Sequence, residues 1–346
     1  MSFSFEGLLR PNIKALEPYS CARDEYEGND ALFLDANENP FDTGYNRYPD
    51  PRQRTLKKKI AQMERVPVEN IVLGNGSDEI IDIIIRSVCR PGEDNIIVFS
   101  PGYSMYEVSA RINDAEVRRL NLTEEFQPDW AAVAAMADAR TKVVFIVTPN
   151  NPVGTVVPLG DIEAFCRDFP GLVVVDEAYI DFAQTPSAAT LLGKYPNVVV
   201  LRTMSKSWGM ASLRLGMCFA HRYLAGVFSK VKPPYNISGL TQAKALEILA
   251  DREGYQRKVA EIRRERVRVE AMLRESPWFE RVYPSQANFV LATSVRFREL
   301  YDYLTANRVV VRLRDIAPLI PGGMRITVGT REQNDRLEEL LKGFAI

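Results

Sequence analysis

Val198-Val199-Val200-Leu201-Arg202-Thr203-Met204-Ser205-Lys206-Ser207-Trp208-Gly209-Met210-Ala211-Ser212-Leu213-Arg214 joins an apolar, β-branched run to a polar loop. Val198–Leu201 reads as a buried strand; Lys206 stands just past its end, with Arg214 eight residues further on. One loop thus delivers an amine and a guanidinium. A lysine attacks carbonyls only where its surroundings favour the neutral amine, and an arginine fork suits the oxygens of a phosphate. Taken alone, a Ser-Lys pair after a strand also reads as an ordinary solvated charge.

The flanking sequence repeats the pattern. From about residue 70 to 220, β-branched runs fall at Ile71–Leu73, Asn95–Phe99, Glu116–Leu120, Lys142–Val147, Leu172–Val175, Val198–Leu201 and Leu215–Ala220. Between them Ser77–Cys89, Tyr103–Ile112, Asp129–Ala137 and Leu159–Asp168 carry apolar residues at helical spacing. The alternation predicts an α/β fold whose seven-stranded, mostly parallel sheet is covered by helices. In such sheets ligands sit beyond the carboxyl ends of the strands. Pro233-Pro234-Tyr235-Asn236 closes this unit, and a charged amphipathic helical region, broken or bent near Gly254, runs to about Glu275 as a spine. Beyond it Arg281–Leu291, Val309–Leu313 and Arg325–Val328 read as strands of a small α+β domain. The expected division is an N-terminal arm with part of the small domain over 1–38, a large cofactor-binding domain over 39–240, and an interdomain helix with the small C-terminal domain over 241–346.

Composition removes several classes. The 346 residues carry 44 basic and 45 acidic side chains, so no electrostatic footprint for nucleic acid exists. No apolar run approaches the roughly 18 residues that span a bilayer, and Met1–Gly7 lacks the charged and apolar regions of a signal peptide. A soluble, cytoplasmic protein is expected. Cys21, Cys89, Cys166 and Cys218 are widely spaced, without a CxxC pair, which points to reduced structural thiols rather than disulfides or zinc. One histidine, His221, cannot build a multi-histidine metal site and reads as a loop residue after the strand Leu215–Ala220. No metal is expected, and the chemistry falls to Lys, Asp, Tyr, Arg and Asn.

Four further segments follow strand ends. Gly74-Asn75-Gly76-Ser77-Asp78-Glu79 opens a helix, so its backbone N–H groups can face an anion; an Asn-Gly turn with Ser77 as cap is the other reading. It lacks the third glycine of a GxGxxG loop. Thr148-Pro149-Asn150-Asn151-Pro152-Val153-Gly154-Thr155 is a rigid polar turn in which Asn151 can donate to a phenolate-like oxygen. Asp176 closes the apolar run Leu172–Val175, ahead of Glu177-Ala178-Tyr179; a carboxylate there wants a cation such as a pyridinium nitrogen, unless it merely caps a helix. Pro101-Gly102-Tyr103-Ser104-Met105-Tyr106 offers Tyr103 as a flat surface for a heteroaromatic ring. Each segment follows a different strand of one sheet, and together they supply the contacts that pyridoxal 5'-phosphate requires.

On these motifs the chain resembles the fold-type I, pyridoxal-phosphate-dependent aminotransferases, and among them the histidinol-phosphate branch. The resemblance extends through Leu9-Arg10-Pro11-Asn12-Ile13, Leu16-Glu17-Pro18-Tyr19, Leu34-Asp35-Ala36-Asn37-Glu38-Asn39-Pro40 and Asn46-Arg47-Tyr48-Pro49 to Arg325-Ile326-Thr327-Val328-Gly329-Thr330-Arg331-Glu332. It implies that Lys206 forms the Schiff base, Asp176 pairs with the pyridine nitrogen, Asn151 and Tyr179 hold the phenolic oxygen, and Tyr103 stacks on the ring. It assigns the phosphate to Ser77, Asp78, Glu79, Ser205 and Arg214, joined by Tyr48 from the neighbouring subunit of a homodimer. Tyr19, Asn37, Arg325 and Arg312 are the implied substrate contacts, with Arg314 two residues from Arg312 as the alternative. Trp208 and Ser212 depart from the family's usual phenyl and small residues. The implied activity is transamination between histidinol phosphate and 2-oxoglutarate, with Lys206 as the acid and base, its amine made neutral by burial beside Arg214. An aromatic or general aminotransferase and a threonine-phosphate decarboxylase share most of these residues. A nicotinamide-dependent oxidoreductase using the Gly74–Glu79 turn would leave Lys206, Asp176 and Asn151 unexplained.

Overall fold

A computed structural model describes residues 3–19, 26 and 31–344. Strands β1 (Ile71–Asn75), β2 (Asn95–Ser100), β3 (Glu116–Asn121), β4 (Thr141–Val147), β5 (Leu172–Asp176), β6 (Val198–Thr203) and β7 (Leu215–Ala220) form one sheet in the order β1-β7-β6-β5-β4-β2-β3. Only β7 runs antiparallel to its neighbours. Every other strand therefore ends at one edge, where the loops converge.

The helices of this unit are α1 (Pro11–Lys14), α2 (Arg54–Glu64), α3 (Ser77–Val88), α4 (Met105–Ile112), α5 (Trp130–Met136), α6 (Leu159–Asp168) and α7 (Arg222–Val231). Alternate residues of each central strand feed opposite layers. Val174 of β5 packs with Ile80 and Ile84 of α3 and Phe228 of α7, whereas Val173 and Val175 pack with Leu56 and Ile60 of α2 and Ile162 of α6. Burial on both faces explains the unbroken valine runs of β5 and β6. Leu8, Leu9 and Ile13 join the α3 layer, and the Arg10 amide donates to the Ser87 carbonyl. The apolar side chains of this part of the N-terminal arm find their complement on α3 and α7. His221 is the N-cap of α7, accepting the Tyr223 N–H at Nδ1 (3.3 Å).

The expected spine is two helices, α8 (Gly239–Ile248) and α9 (Arg252–Glu275). The break precedes Gly254 because Asp251 caps α9, accepting the Gly254 N–H at 2.9 Å; a Cβ on Gly254 would stand 2.0 Å from that carboxylate. The small sheet has strands β8 (Arg281–Tyr283), β9 (Phe289–Thr293), β10 (Arg312–Leu313) and β11 (Gly323–Thr327), all antiparallel in the order β10-β11-β9-β8, backed by α10 (Phe297–Ala306) and α11 (Arg331–Gly343). The expected single strand Arg281–Leu291 is a pair. After Pro284 the amides of Ser285 and Gln286 leave the ladder for Glu270 (3.1 Å) and the Gly154 carbonyl (2.8 Å), so tertiary contacts turn the chain.

Cys89, Cys166 and Cys218 are buried free thiols, whereas Cys21 lies outside the described residues. Among the described residues no helix is long and apolar enough to cross a membrane.

Candidate active site

The site begins where β1 passes into α3. Gly76, at φ +81°, is the N-cap of α3, and no side chain caps it; Ser77 is the first helical residue rather than the cap. The exposed amides of the first turn carry the positive end of the helix dipole. A Cβ on Gly76 would lie 2.6 Å from Nη2 of Arg214, and one on Gly216 would lie 2.2 Å from the Ser77 nitrogen, so this cradle closes only around glycine. Arg214 itself holds φ +50° and lies 3.5 Å from Asp78. The Glu79 carboxylate is occupied by the Asn75 N–H (2.5 Å) and by Nδ2 of Asn236 (2.8 Å). Asp78 and Glu79 can therefore offer an anion backbone N–H groups, not side chains. The Ser205 N–H donates to Oγ1 of Thr203 at 3.2 Å, which shapes the start of the lysine loop.

Beside the cradle lies a site for a flat ring. Asp176 ends β5 and is 4% exposed, with no ion pair among the described residues. Its Oδ2 accepts the Tyr106 O–H at 2.5 Å and its Oδ1 the Ala178 N–H at 2.9 Å. Burial pushes the carboxyl above its usual range, and these two hydrogen bonds oppose that rise. Tyr103 donates to Oδ1 of Asp78 (2.9 Å), which places its ring at the mouth of the cleft. Asn151 is buried and accepts from Nη1 of Arg325 at Oδ1 (2.6 Å), and its Nδ2 has no acceptor among the described residues. Tyr179 packs edge-on to Phe289 with centroids 5.1 Å apart, and burial raises its phenol to about 12.

Lys206 Nζ lies 5.6 Å from the Tyr179 ring centroid. Solvent reaches the side chain in the single chain, yet the surrounding protein desolvates the ammonium and lowers its pKa; the Arg325 charge acts in the same direction. Arg214 acts in the same direction, as expected from the sequence, with Arg325 the larger of the two influences. Arg325 stands on β11 opposite Arg312, and its buried Nε has no hydrogen-bond partner among the described residues. Neither Arg312 nor Arg314 has a carboxylate partner among the described residues. Arg312 is exposed, whereas Arg314 is half-buried and its charge acts on Tyr179. The cleft therefore gathers an amine, a buried carboxylate, two phenols and unpaired guanidinium groups.

Three expected contacts lie elsewhere on the chain. Tyr48 is half-exposed and stacks on Tyr235 (4.5 Å, 19°), lining with Asn37 a separate cavity. Tyr19 borders another, near Lys57 and Lys232. A cavity of about 900 Å³ beside Trp130, Phe165 and Phe169 opens at the start of β4, away from Lys206. The reading of the sequence missed Tyr106 as the partner of Asp176, and it missed the supports of the lysine loop. Ser207 donates to Asp181, Arg202 joins Asp181, Glu177 and Glu64, and Trp208 stacks on Tyr255 of α9 at 3.8 Å. A second tyrosine three residues after Tyr103, in the first turn of α4, was the available signal for the first.

An amine and a glycine-lined helix N-terminus at the carboxyl edge of such a sheet, faced by a small antiparallel domain, describe a class. Residues 34–341 match the family model of class I and II aminotransferases, and the chain belongs to that family. Its similarity is closest in kind to one group within it. A histidinol-phosphate aminotransferase of Parabacteroides distasonis is 47% identical over 341 residues, covering 99% of each chain. The solved histidinol-phosphate aminotransferase of Clostridium acetobutylicum superposes with a TM-score of 0.79 at 26% identity, over 87% of this chain and 91% of that one. That of Sinorhizobium meliloti, solved in complex with pyridoxal-5'-phosphate, gives 0.78 at 25% identity, over 86% and 84%.

Proposed function

We propose that this protein is a pyridoxal-phosphate-dependent aminotransferase that moves the amino group of L-histidinol phosphate to 2-oxoglutarate, giving imidazole-acetol phosphate and L-glutamate in histidine biosynthesis. The observation that carries this reading is the cleft in which Lys206 and the buried Asp176 meet Arg325, whose buried Nε is unpaired among the described residues. The names of the relatives support the substrate.

The residues fit the cofactor. Asp176 is a buried carboxylate without a contacting cation, and the glycine cradle beneath Arg214 has the shape and charge for a phosphate. The first-turn amides of α3, Ser205 and Arg214 would hold the phosphate; Asn151 Nδ2 and the Tyr179 hydroxyl would donate to the ring oxygen; Tyr103 would cover one face; Asp176 would pair with the ring nitrogen. When bound, pyridoxal phosphate supplies an aldehyde that exchanges amines and a ring that accepts electrons. Lys206 Nζ, whose neutral form desolvation and Arg325 favour, takes the proton from the substrate carbon bearing nitrogen and returns it on the other side of the transfer. Arg325 binds the phosphate of histidinol phosphate and a carboxylate of glutamate alike, because a guanidinium fork pairs with either anion. Arg314 is favoured over Arg312 as the second arginine, being half-buried and electrostatically joined to Tyr179.

Tyr48, Asn37 and Tyr19 serve the cleft of a second subunit in a homodimer, a reading supported by the separate cavities they line in one chain. The N-terminal arm with part of the small domain spans 1–38, the large unit 39–240, and the interdomain helix with the small C-terminal domain 241–346, and the protein works in the cytoplasm. The test is turnover of histidinol phosphate with 2-oxoglutarate by the purified protein, expected with a yellow, borohydride-fixable cofactor. Faster transamination of phenylalanine than of histidinol phosphate would reject the substrate assignment.

A further inference from the structure

Resting on the pairing of Asp176 with the cofactor's ring nitrogen, we infer that Tyr106 is a positioning residue whose phenolic O–H orients the Asp176 carboxylate for that nitrogen. Tyr106 lies on α4 one turn beyond Tyr103 and is 2% exposed. Its ring stacks on Phe145 of β4 (4.4 Å, 13°) and meets Tyr103 edge-on (5.6 Å, 82°). These contacts fix the ring within an apolar layer, where a phenol hydroxyl needs an acceptor. Asp176 Oδ2, at 2.5 Å, is that acceptor.

The arrangement acts on Asp176 in two ways. With Tyr106 on Oδ2 and the Ala178 N–H on Oδ1, both ends of the carboxylate are held, and each oxygen keeps a lone pair for another donor. A free carboxylate would rotate; this one cannot without breaking a hydrogen bond. The bond also favours the ionised form. The groups facing Asp176 are Asp78 from α3, Tyr103 from the loop after β2, Tyr106 from α4, Tyr179 after β5, and Lys206 after β6. Burial and Asp78 favour the protonated carboxyl; Tyr106, the Ala178 amide and Lys206 favour the charged one. Tyr106 is the side-chain hydrogen bond in that balance. Without it the carboxyl protonates at higher pH, and a neutral carboxyl cannot counter a ring cation. A phenylalanine would fill the same space, so the hydroxyl itself is what the inference concerns.

The experiment compares the apoprotein with Tyr106→Phe, measuring pyridoxal phosphate affinity by fluorescence quenching from mildly acid to mildly alkaline pH. The variant should keep the native circular dichroism and bind the cofactor about tenfold or more weakly. Its loss of affinity on acidification should begin at higher pH, with kcat lowered and the KM for histidinol phosphate little changed. Replacing Tyr106 with 3-fluorotyrosine, a stronger donor of nearly the same shape, should move the acid limb of cofactor affinity the other way. Native affinity, pH dependence and kcat in a folded Tyr106→Phe protein overturn the inference. Should that variant not fold, an acid limb left unmoved by 3-fluorotyrosine overturns it. Failure of the native apoprotein to bind pyridoxal phosphate overturns the proposed function as well, and that control separates the two failures.

Discussion

Lys206 takes its reactivity from its neighbours. A surface lysine is an ammonium ion; this one is desolvated by the cleft wall and repelled by Arg325 on the opposite domain. Lys206→Ala should abolish turnover while the cradle and ring contacts still bind the cofactor non-covalently; borohydride should then fix pyridoxal phosphate to the native chain alone, and labelling elsewhere in that chain would count against Lys206. Arg325→Ala should lower kcat/KM in both half-reactions by about 2 to 5 kcal/mol, as expected when a buried charge pair with substrate is lost. The same substitution removes a charge that disfavours the Lys206 ammonium. The lysine pKa must then rise, so acylation of Lys206 in the apoprotein should require higher pH than in the native chain. Loss of histidinol phosphate with glutamate turnover intact would mean that the two substrates use separate anchors.

At the scale of elements, β6 anchors the loop it delivers. Arg202 points from β6 into Glu64 of α2 (3.2 Å), Glu177 (3.1 Å) and Asp181 (2.8 Å), and Asp181 in turn accepts from Ser207, the residue after the lysine. Trp208 then stacks on Tyr255, tying the loop to the helix that bridges the domains. This stack gives the tryptophan a physical role at a position where the family carries a phenyl ring. Burial holds Glu64 and Glu177 above their usual range, and Arg202 opposes it. Arg202→Met would leave buried carboxylates uncompensated and should destabilise the fold by about 3 to 5 kcal/mol. The sign of the pH dependence follows. Without the guanidinium the folded-state pKa values rise further above the unfolded ones, so the folded state binds more protons. The deficit in thermal stability should be greatest near neutrality and shrink on mild acidification; a deficit independent of pH would show that Arg202 acts by packing alone.

For the whole molecule, the question is which groups one chain can bring together. Tyr48 stacks on Tyr235, and in the proposed dimer it completes the partner's phosphate site. Mixing Lys206→Ala subunits with Tyr48→Phe subunits creates hybrids with one intact site. Random exchange at equal amounts should restore about a quarter of native activity, since half the dimers are hybrid and each carries one good site of two. Demonstrated subunit exchange without recovery, from two poorly active parents, would argue against a shared site.

The sequence by itself determined the large sheet and what stands at its strand ends. Doubly buried strands leave β-branched runs, and each run from Ile71 to Ala220 appears as a strand within about two residues of its expected ends. Loops after parallel strands must gather at one edge, so Lys206, Asp176, Asn151, Tyr103 and the Gly76 turn were legible as one site from order alone. The small domain was less so, because strands such as Arg312–Leu313 are too short to carry a period, and because the turn after Pro284 is made by partners far away in the chain. Only the tertiary structure decided that Tyr106 holds Asp176, that Arg325 rather than Arg214 is the stronger influence on Lys206, and that Arg314 is the more enclosed of two nearby arginines. Side chains on different elements acquire their partners, and hence their charge states, when those elements pack, and nothing in local spacing records which of several candidates will meet.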